Sequence, residues 1–184
     1  MERNIIMAGF GGQGVMLMGK LLGYAVNGSS DQGITFFPSY GAEQRGGTAN
    51  CYVVISDGQV GSPMPQAADD LIVLNQPSLD KFADHLKAGG TLFVNSSIVK
   101  NIPERADITV VAAPVTELSI EMGSEKVLNV IMLGVYVGCT GVIAEDIMLD
   151  TIIKKLGKKE SMIAVNKAAF LKGLEIGKKA AGKQ

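Results

Sequence analysis

The chain has 184 residues, of which 47% are hydrophobic and 23 are glycine, and its formal net charge is -1. A chain of this size buries a substantial core, and its near-neutral charge argues against nucleic acid as a partner. The only cysteines, Cys51 and Cys139, lie in apolar runs without metal-ligand spacing, so we expect reduced core thiols in a cytoplasmic protein. We predict one domain over residues 1–184, with no signal peptide and no membrane span, because the most apolar stretch, Val127–Ile143, is too short for a bilayer.

The first third of the chain predicts a strand, a glycine loop, a helix and two further strands. Asn4–Ala8 is a buried strand, and Gly14–Asn27 has the apolar face of a helix. Ile34–Phe37 and Ala49–Ile55 are strand-like, and the connection between them has no helical pattern. Parallel strands need a longer crossover, so we expect this pair to be antiparallel or non-adjacent and the sheet to be mixed.

The remainder alternates strands with helices. Strands are predicted at Leu71–Leu74, Thr91–Asn95 and Ile108–Ala112, and helices at Pro77–Leu86, Pro114–Met122, Ala144–Leu156 and Glu160–Lys179. Gly89-Gly90 is expected to end a helix, and Ser124 to cap a buried one whose Gly134 and Gly138 let a neighbour approach closely. The fold class is therefore α/β: a three-layer α/β/α sandwich with a Rossmann-like start, a mixed, mostly parallel sheet and a helical C-terminal portion over residues 124–180.

The N-terminal glycine loop is the first candidate site. Gly9, Gly11 and Gly14 follow the pattern Gly-x-Gly-x-x-Gly after a strand and at the opening of a helix, where free N–H groups can receive an anion. A dinucleotide site also needs an acidic residue at the end of the second strand, and residues 38–40 supply none. Three interpretations stay open, the dinucleotide site being the least favoured. The others are a structural turn, and a site for another phosphate-bearing group or a partner subunit.

A second glycine-punctuated loop, Ser39–Cys51, joins the second and third predicted strands. A loop of this length in a compact domain usually has a function. Arg45 would hold a carboxylate or phosphate with its guanidinium fork, or pair with Glu43 or another subunit, and both interpretations stay open. Asn50 is expected to orient the loop through its backbone. Two such loops at the ends of neighbouring strands would form one site.

Other chemistry-bearing residues give weaker signals. Asn129, in an apolar helix, is expected to make an interhelical hydrogen bond, and His85 to lie on the surface. The sequence has no cysteine cluster for an iron–sulfur centre, no Cys/His set for zinc, no P-loop and no nucleophile elbow. With a single histidine, no nucleophile–base pair can be assembled, so the chain by itself is predicted to be non-catalytic.

Two motifs resemble the gamma subunit of 2-oxoacid:ferredoxin oxidoreductases. They are Gly9-Phe10-Gly11-Gly12-Gln13-Gly14, and Pro38-Ser39-Tyr40-Gly41 running on through Gln44-Arg45-Gly46-Gly47-Thr48-Ala49-Asn50-Cys51. The Gly61-Ser62-Pro63 connector and the Lys126–Gly134 helix fit the same pattern, so the resemblance covers nearly the whole chain. The Arg-Gly-Gly-Thr-Ala-Asn form looks most like the 2-oxoglutarate and branched-chain 2-oxoacid members. Ala42 departs from the proline of many relatives.

The resemblance implies a non-catalytic subunit of a complex that oxidatively decarboxylates a 2-oxoacid, 2-oxoglutarate being favoured, to the acyl-CoA and passes electrons to ferredoxin. Thiamine diphosphate and magnesium would be held by alpha and beta subunits. The iron–sulfur clusters would lie on beta and, where present, on a ferredoxin-like delta subunit. This chain alone would bind no cofactor. It would dock on the thiamine-binding subunits and contribute to coenzyme A access.

The residues expected to bind lie in the two loops. They are Gly9, Gly11, Gly12, Gln13, Gly14, Tyr40, Arg45, Gly46, Gly47 and Asn50. They would contact coenzyme A or hold the active-site wall of the neighbouring subunit, and no catalytic or metal-binding residue is expected. The alternatives are a free-standing dinucleotide-binding oxidoreductase domain and a purely structural adaptor.

Overall fold

The computed structural model describes residues 1–29, 31–40, 47–157 and 160–182. A central sheet carries helices on both faces. Its strands are β1 (Glu2–Phe10), β2 (Gly33–Tyr40), β3 (Thr48–Ser56), β4 (Ala68–Val73), β5 (Leu86–Asn95) and β6 (Thr109–Ala113). The helices are α1 (Val15–Asn27), α2 (Gln76–Phe82), α3 (Val115–Glu121), α4 (Leu128–Thr140), α5 (Glu145–Leu156) and α6 (Glu160–Ala181), with short 3-10 turns at Ala83–His85 and Glu125–Val127.

The sheet is mixed, as predicted from the sequence. Its six strands run in the order β2-β3-β1-β4-β5-β6. β3 is antiparallel to both of its neighbours, β1 and β2. The other three pairs, β1–β4, β4–β5 and β5–β6, are parallel. The short connection between β2 and β3 allows an antiparallel pair and no crossover, which confirms the expectation for these two strands.

Helices cover the two faces of the sheet unequally, and together the layers form the predicted α/β/α sandwich. On one face, α1, α4 and α6 pack over alternate strand residues such as Ile5 and Met7 to form the larger core. On the other, α2 packs over Ile6 and Ala8 in a smaller core. Because side chains alternate along a strand, a strand covered on both faces is apolar throughout, which explains the apolar run of β1.

The contact between α4 and α6 depends on glycine. Cβ atoms on Gly134 and Gly138 of α4 would overlap or press on the carbonyl oxygens of Phe170 and Leu174 on α6. Gly173 faces α4 in the same way, since a Cβ there would overlap the Ile131 carbonyl oxygen. The predicted close approach at Gly134 and Gly138 is confirmed, and the neighbour is the C-terminal helix.

Several boundaries differ from the predictions. β2 continues past the predicted Phe37 to Tyr40, so Pro38 lies in a strand, whereas β3 begins at Thr48 and contains Asn50, as the predicted strand Ala49–Ile55 does. Pro38 lies in an edge strand, which is where sheets tolerate proline. Ser124 begins a 3-10 turn without a side-chain capping bond, and α4 starts only at Leu128.

The segment after α2 also differs. Gly89-Gly90 lies inside β5 and does not end the helix, which stops at Phe82. Gly89 has φ 77°, and its N–H donates to the Asp107 carbonyl oxygen at 2.6 Å, where the register with β4 shifts. His85 is half-buried, with its ring edge-on to Phe82 at a centroid distance of 5.6 Å, so it packs against the end of α2 while part of it stays exposed.

An ionic group of half-buried Arg3 with buried Asp70 and Tyr136 joins β1, β4 and α4 at the amino ends of the two strands. The Arg3 guanidinium donates to the Asp70 carboxylate at 2.5 and 3.1 Å, and the Tyr136 hydroxyl donates to it at 2.8 Å. Asp70 and Tyr136 are buried. Burial and the adjacent Asp70 carboxylate raise the pKa of the Tyr136 hydroxyl well above its ordinary value. The Asp70 carboxylate is therefore a buried charge that is paired with the Arg3 guanidinium next to the larger core.

Candidate functional site

The glycine loop lies where the connections of the sheet change direction. β1 leads through α1, on the larger-core face, toward β2 at one edge, whereas β4 leads through α2, on the opposite face, toward β5 and the other edge. In open α/β sheets, ligands bind outside the carboxyl ends of the strands at such a switch point. The carboxyl ends of β1 and β4 therefore mark the same place as the sequence motif.

Three glycines of the loop are required, two for their backbone conformation and one for lack of space. Gly12 and Gly14 have φ of 100° and 80°, the left-handed region that side chains other than glycine rarely adopt. Gly9 has no space for a side chain, because a Cβ would lie 2.8 Å from Gln13 Oε1 and 2.9 Å from Val15 Cγ2. The motif therefore fixes a tight turn that leads directly into α1.

The Gln13 side chain ties this loop to the end of β4. Its Oε1 accepts from the Phe10 N–H at 2.7 Å and from Asn75 Nδ2 at 3.3 Å. Its Nε2 donates to the Leu74 carbonyl oxygen at 3.2 Å. Gln13 is thus a structural member of the predicted site, because its amide closes the crevice between the carboxyl ends of β1 and β4.

Two buried side-chain amides that were not predicted from the sequence, Asn75 and Asn95, extend the hydrogen bonds of Gln13. We call Gln13, Asn75 and Asn95 the amide row. Asn75 Oδ1 accepts from the Ser78 N–H at 2.9 Å and caps α2. Asn95 Nδ2 donates to the Leu74 carbonyl oxygen at 3.2 Å and to Thr116 Oγ1 at 2.8 Å. One signal could have found both residues, since Asn75 follows a predicted strand directly and Asn95 ends the next.

Asn129 supports the loop from α4. Its Nδ2 donates to the Gly14 carbonyl oxygen at 3.3 Å, and its Oδ1 accepts from the Val130 N–H at 3.0 Å. The predicted interhelical bond is therefore confirmed, and its partner is the residue that opens α1. A Cβ on Gly14 would overlap the Asn129 amide, so the two residues are matched in size.

The structure also brings the second loop to the first at one described point. The Gly11 N–H donates to the Gly47 carbonyl oxygen at 3.2 Å, as expected for two loops that form one site. Asn50 is buried within β3 opposite Ala8, so it belongs to the sheet and not to the loop. Tyr40 pairs through its backbone with Ala49 at the end of β2. Arg45 and Gly46 lie outside the described residues.

The start of α1 can receive an anion. Within the residues described, the N–H of the exposed Gly12 donates to no acceptor, and the first turn of α1 holds no acidic side chain. The partial positive charge of a helix N-terminus favours an anionic group there. Across the described residues, no group of three or more histidine, cysteine, aspartate or glutamate side chains could hold a metal ion.

The cysteines add no reactive group to this edge of the sheet. Cys51 is buried, and its Sγ lies 3.7 Å from the Val15 carbonyl oxygen. Burial raises the pKa of the Cys51 thiol to about 12, so the nucleophilic thiolate is absent at neutral pH. Cys139 is half-buried, so of the two cysteines expected in the core only Cys51 is fully buried, and no disulfide joins them.

The fold and the site define a class: an α/β domain whose glycine loop and helix N-terminus present N–H groups at a switch point. Comparison with known proteins then gives the family. The chain belongs to the pyruvate ferredoxin/flavodoxin oxidoreductase family, whose model matches residues 4–176. In the described part of the chain, no helix has the length and apolarity to cross a membrane.

Relatives narrow the position within this family. The chain is 38% identical, over 96% of its length, to ketoisovalerate oxidoreductase subunit VorA of Methanothermobacter marburgensis, but spans only 36% of that protein. It is 34% identical to 2-oxoglutarate synthase subunit KorC of Methanocaldococcus jannaschii, covering 97% of this chain and 95% of KorC. These matches agree with the resemblance to the 2-oxoglutarate and branched-chain types.

Solved structures agree with this position. The gamma subunit of a keto/oxoacid ferredoxin oxidoreductase from Geobacter sulfurreducens is 30% identical, with a TM-score of 0.87 and 98% of each chain covered. A 2-oxoglutarate:ferredoxin oxidoreductase from Magnetococcus marinus has the same fold at 23% identity, with a TM-score of 0.88 over 97% of this chain and 31% of that one. The gamma-subunit resemblance of the sequence motifs is thereby confirmed.

Proposed function

We propose that this chain is the gamma subunit of a complex that oxidatively decarboxylates a 2-oxoacid to its coenzyme A thioester and passes the electrons to ferredoxin. The chain performs no covalent step. It docks on thiamine-binding alpha and beta subunits, which hold the thiamine diphosphate and, with a delta subunit where one exists, the iron–sulfur clusters. Its glycine loop contacts coenzyme A. 2-Oxoglutarate is the favoured substrate, because the match covers 95% of the KorC relative but only 36% of VorA.

The observation that carries this proposal is the loop at the switch point. Gly12 offers an exposed N–H next to Gly11, whose own N–H bonds to the Gly47 carbonyl oxygen, at the start of a helix without acidic residues in its first turn. Coenzyme A carries phosphate groups of the charge that such a helix N-terminus stabilises. Arg45, outside the described residues, stays a predicted second contact to the same ligand.

The docking part of the proposal has separate support. The chain spans 36% of the VorA relative, so in that protein the matched segment is covalently joined to further sequence. The KorC relative, 95% of which is covered by the match, is named as a subunit, which supports docking on partner chains. The described residues provide no metal-ligand set of their own. The redox centres of the proposed reaction would accordingly lie on the partner chains.

Purification of the tagged chain from its native host tests the docking. We expect stoichiometric recovery of a thiamine-binding pair with iron–sulfur absorbance, and reduction of a viologen dye that depends on both coenzyme A and 2-oxoglutarate. Comparison with ketoisovalerate as substrate identifies the 2-oxoacid. A colourless chain recovered alone, while those partners stay in the lysate, would contradict the proposal.

A matched pair of substitutions at Gly12 tests the coenzyme A contact. Gly12 has a positive φ and open space around its Cα, and asparagine and aspartate both tolerate that conformation better than most residues. Gly12→Asp places a negative charge beside the phosphates and should raise the KM for coenzyme A roughly tenfold over Gly12→Asn. The KM for the 2-oxoacid should not change. Equal coenzyme A KM values for the two variants in an intact complex would favour the structural adaptor.

A further inference from the structure

The amide row places a helix cap and the glycine loop in one chain of hydrogen bonds. Asn75 Oδ1 accepts from the Ser78 N–H at 2.9 Å, so the Asn75 amide has its oxygen toward α2 and its nitrogen toward Gln13. This nitrogen needs an acceptor, which is Gln13 Oε1 at 3.3 Å. The N-terminal cap of α2 therefore decides which end of the Gln13 amide faces β4.

The glycine loop fixes the same orientation from its own side. The Phe10 N–H donates a hydrogen bond to Gln13 Oε1 at 2.7 Å. Gln13 Nε2 donates one to the Leu74 carbonyl oxygen at 3.2 Å. Asn95 Nδ2 also donates to that carbonyl oxygen, which holds the end of β4 from the side of β5. Each amide side chain has one orientation in which its nitrogen faces an acceptor and its oxygen faces a donor. Rotating an amide by 180° would place two acceptors or two donors against each other.

The burial of these groups makes the arrangement costly to break. Asn75 is 1% exposed and Asn95 is fully buried, so water does not readily replace a lost partner. Among the described side-chain hydrogen bonds of Asn75, the one that reaches the loop is the bond to Gln13. We therefore expect the Asn75 side chain to act on the loop through the Gln13 amide.

We propose that Asn75 is a positioning residue for the glycine loop: through Gln13 it holds the Phe10 N–H and thus the turn that opens α1. The consequence for coenzyme A rests on the proposed function, whereas the consequence for the loop does not. The cap of α2 and the anion-binding turn behave as one unit, although 61 residues separate Gln13 from the end of β4.

Two substitutions at Asn75 separate the cap from the loop. Asn75→Ser and Asn75→Asp both keep an oxygen that can cap α2, since serine and aspartate are preferred N-cap residues. Serine removes the Asn75 Nδ2 group that donates to Gln13, and its hydroxyl, one bond from Cβ, is shorter and engaged at the cap. Aspartate places a second acceptor against Gln13 Oε1. Gln76→Ala is the matched control, because Gln76 lies in the first turn of α2 and bonds to Asp80 and residues 100–101 but not to Gln13.

Amide hydrogen exchange in the full chain measures the loop directly. In both Asn75 variants, exchange at the Phe10 N–H should rise by about tenfold, while the Ser78 N–H keeps its protection. Gln76→Ala should leave Phe10 exchange unchanged. Unchanged Phe10 exchange in both Asn75 variants would overturn the proposal, as would loss of protection across the whole chain to the same extent.

A double-mutant cycle in the complex then tests whether Asn75 acts through Gln13. Asn75→Ser should raise the KM for coenzyme A about fivefold in the wild-type background and have almost no effect on it in a Gln13→Ala background, with kcat nearly constant. Equal effects in both backgrounds would contradict transmission through Gln13. If Phe10 exchange rises but neither the Asn75 variants nor Gly12→Asp change the KM, the positioning role stands and the coenzyme A contact fails.

Discussion

Gly14 satisfies two constraints that come from distant parts of the chain. Its φ of 80° ends the turn before α1, and its Cα faces the Asn129 amide of α4, which bonds to the Gly14 carbonyl oxygen. Gly12 has only the first constraint, because nothing lies within 4 Å of the place where its Cβ would stand. A side chain at Gly12 would therefore meet backbone strain alone, whereas one at Gly14 would meet backbone strain and overlap with Asn129.

Alanine substitutions should reveal this difference. Gly12→Ala should lower the free energy of unfolding by about 1–2 kcal/mol, the cost of a left-handed residue with a side chain. Gly14→Ala should cost about 2 kcal/mol more than Gly12→Ala, because the Asn129 amide must also move and lose its bond. Urea unfolding of the three proteins measures both values. Equal losses would show that Asn129 moves aside at no cost.

At the scale of elements, α4 and α6 are joined by glycines that face backbone atoms of the other helix. A Cβ on Gly173 would overlap the Ile131 carbonyl oxygen, and Gly134 lies opposite it. Backbone atoms cannot turn away as a flexible side chain can. These glycines therefore set the distance between the two helices, and with it the position of Asn129 beneath the loop.

Gly173→Ala should destabilise the protein by about 3 kcal/mol or more, because the helices must separate to admit the methyl group. Gly23→Ala is the matched control: Gly23 lies in the interior of α1 with no atom within 4 Å of an added Cβ. Removing a glycine from such a helix position should stabilise the protein by about 0.4–1 kcal/mol. Thermal unfolding of both variants gives the comparison. A neutral Gly173→Ala would mean that α6 packs more loosely than described.

Local patterns predicted the elements best where one physical rule dominated. The short link between β2 and β3 required an antiparallel pair, and the apolar run before Gly9 required a buried strand. Gly89-Gly90 was misread because glycine serves equally to end a helix and to permit an irregular strand. Gly89-Gly90 lies in a strand because β5 pairs with β4, and the register of that pairing shifts.

The candidate site was predictable in its loops but not in its supports. Gly12 and Gly14 carry a recognisable motif, whereas Asn75 and Asn95 acquire their roles only because β4 lies between β1 and β5. Asn129 was recognisable as a polar residue in an apolar helix, yet its partner depends on how α4 packs against the start of α1. Such partners are set by tertiary contacts that no local pattern contains.

At the scale of the whole molecule, the polar groups divide between the two ends of the sheet. The amide row and the glycine loop lie at the carboxyl ends of β1 and β4, and the Arg3–Asp70–Tyr136 group lies at their amino ends. Uncharged amides hold the end proposed to bind a ligand, and a paired charge holds the other. The ionic group should accordingly affect stability without affecting coenzyme A binding.

Removing one charge of this group should cost more than removing both. Arg3→Leu leaves the Asp70 carboxylate, 1% exposed, with the Tyr136 hydroxyl as its donor among the described side chains, and should lower the free energy of unfolding by about 3–5 kcal/mol. Adding Asp70→Asn removes the buried charge while its amide oxygen can still accept from Tyr136. The double variant should therefore be more stable than Arg3→Leu, and the KM for coenzyme A of the assembled complex should match that of the wild type. Urea unfolding and that KM test the two statements separately. Additive losses would show that Asp70 does not depend on Arg3, and a changed KM would show that the two ends of the sheet are coupled.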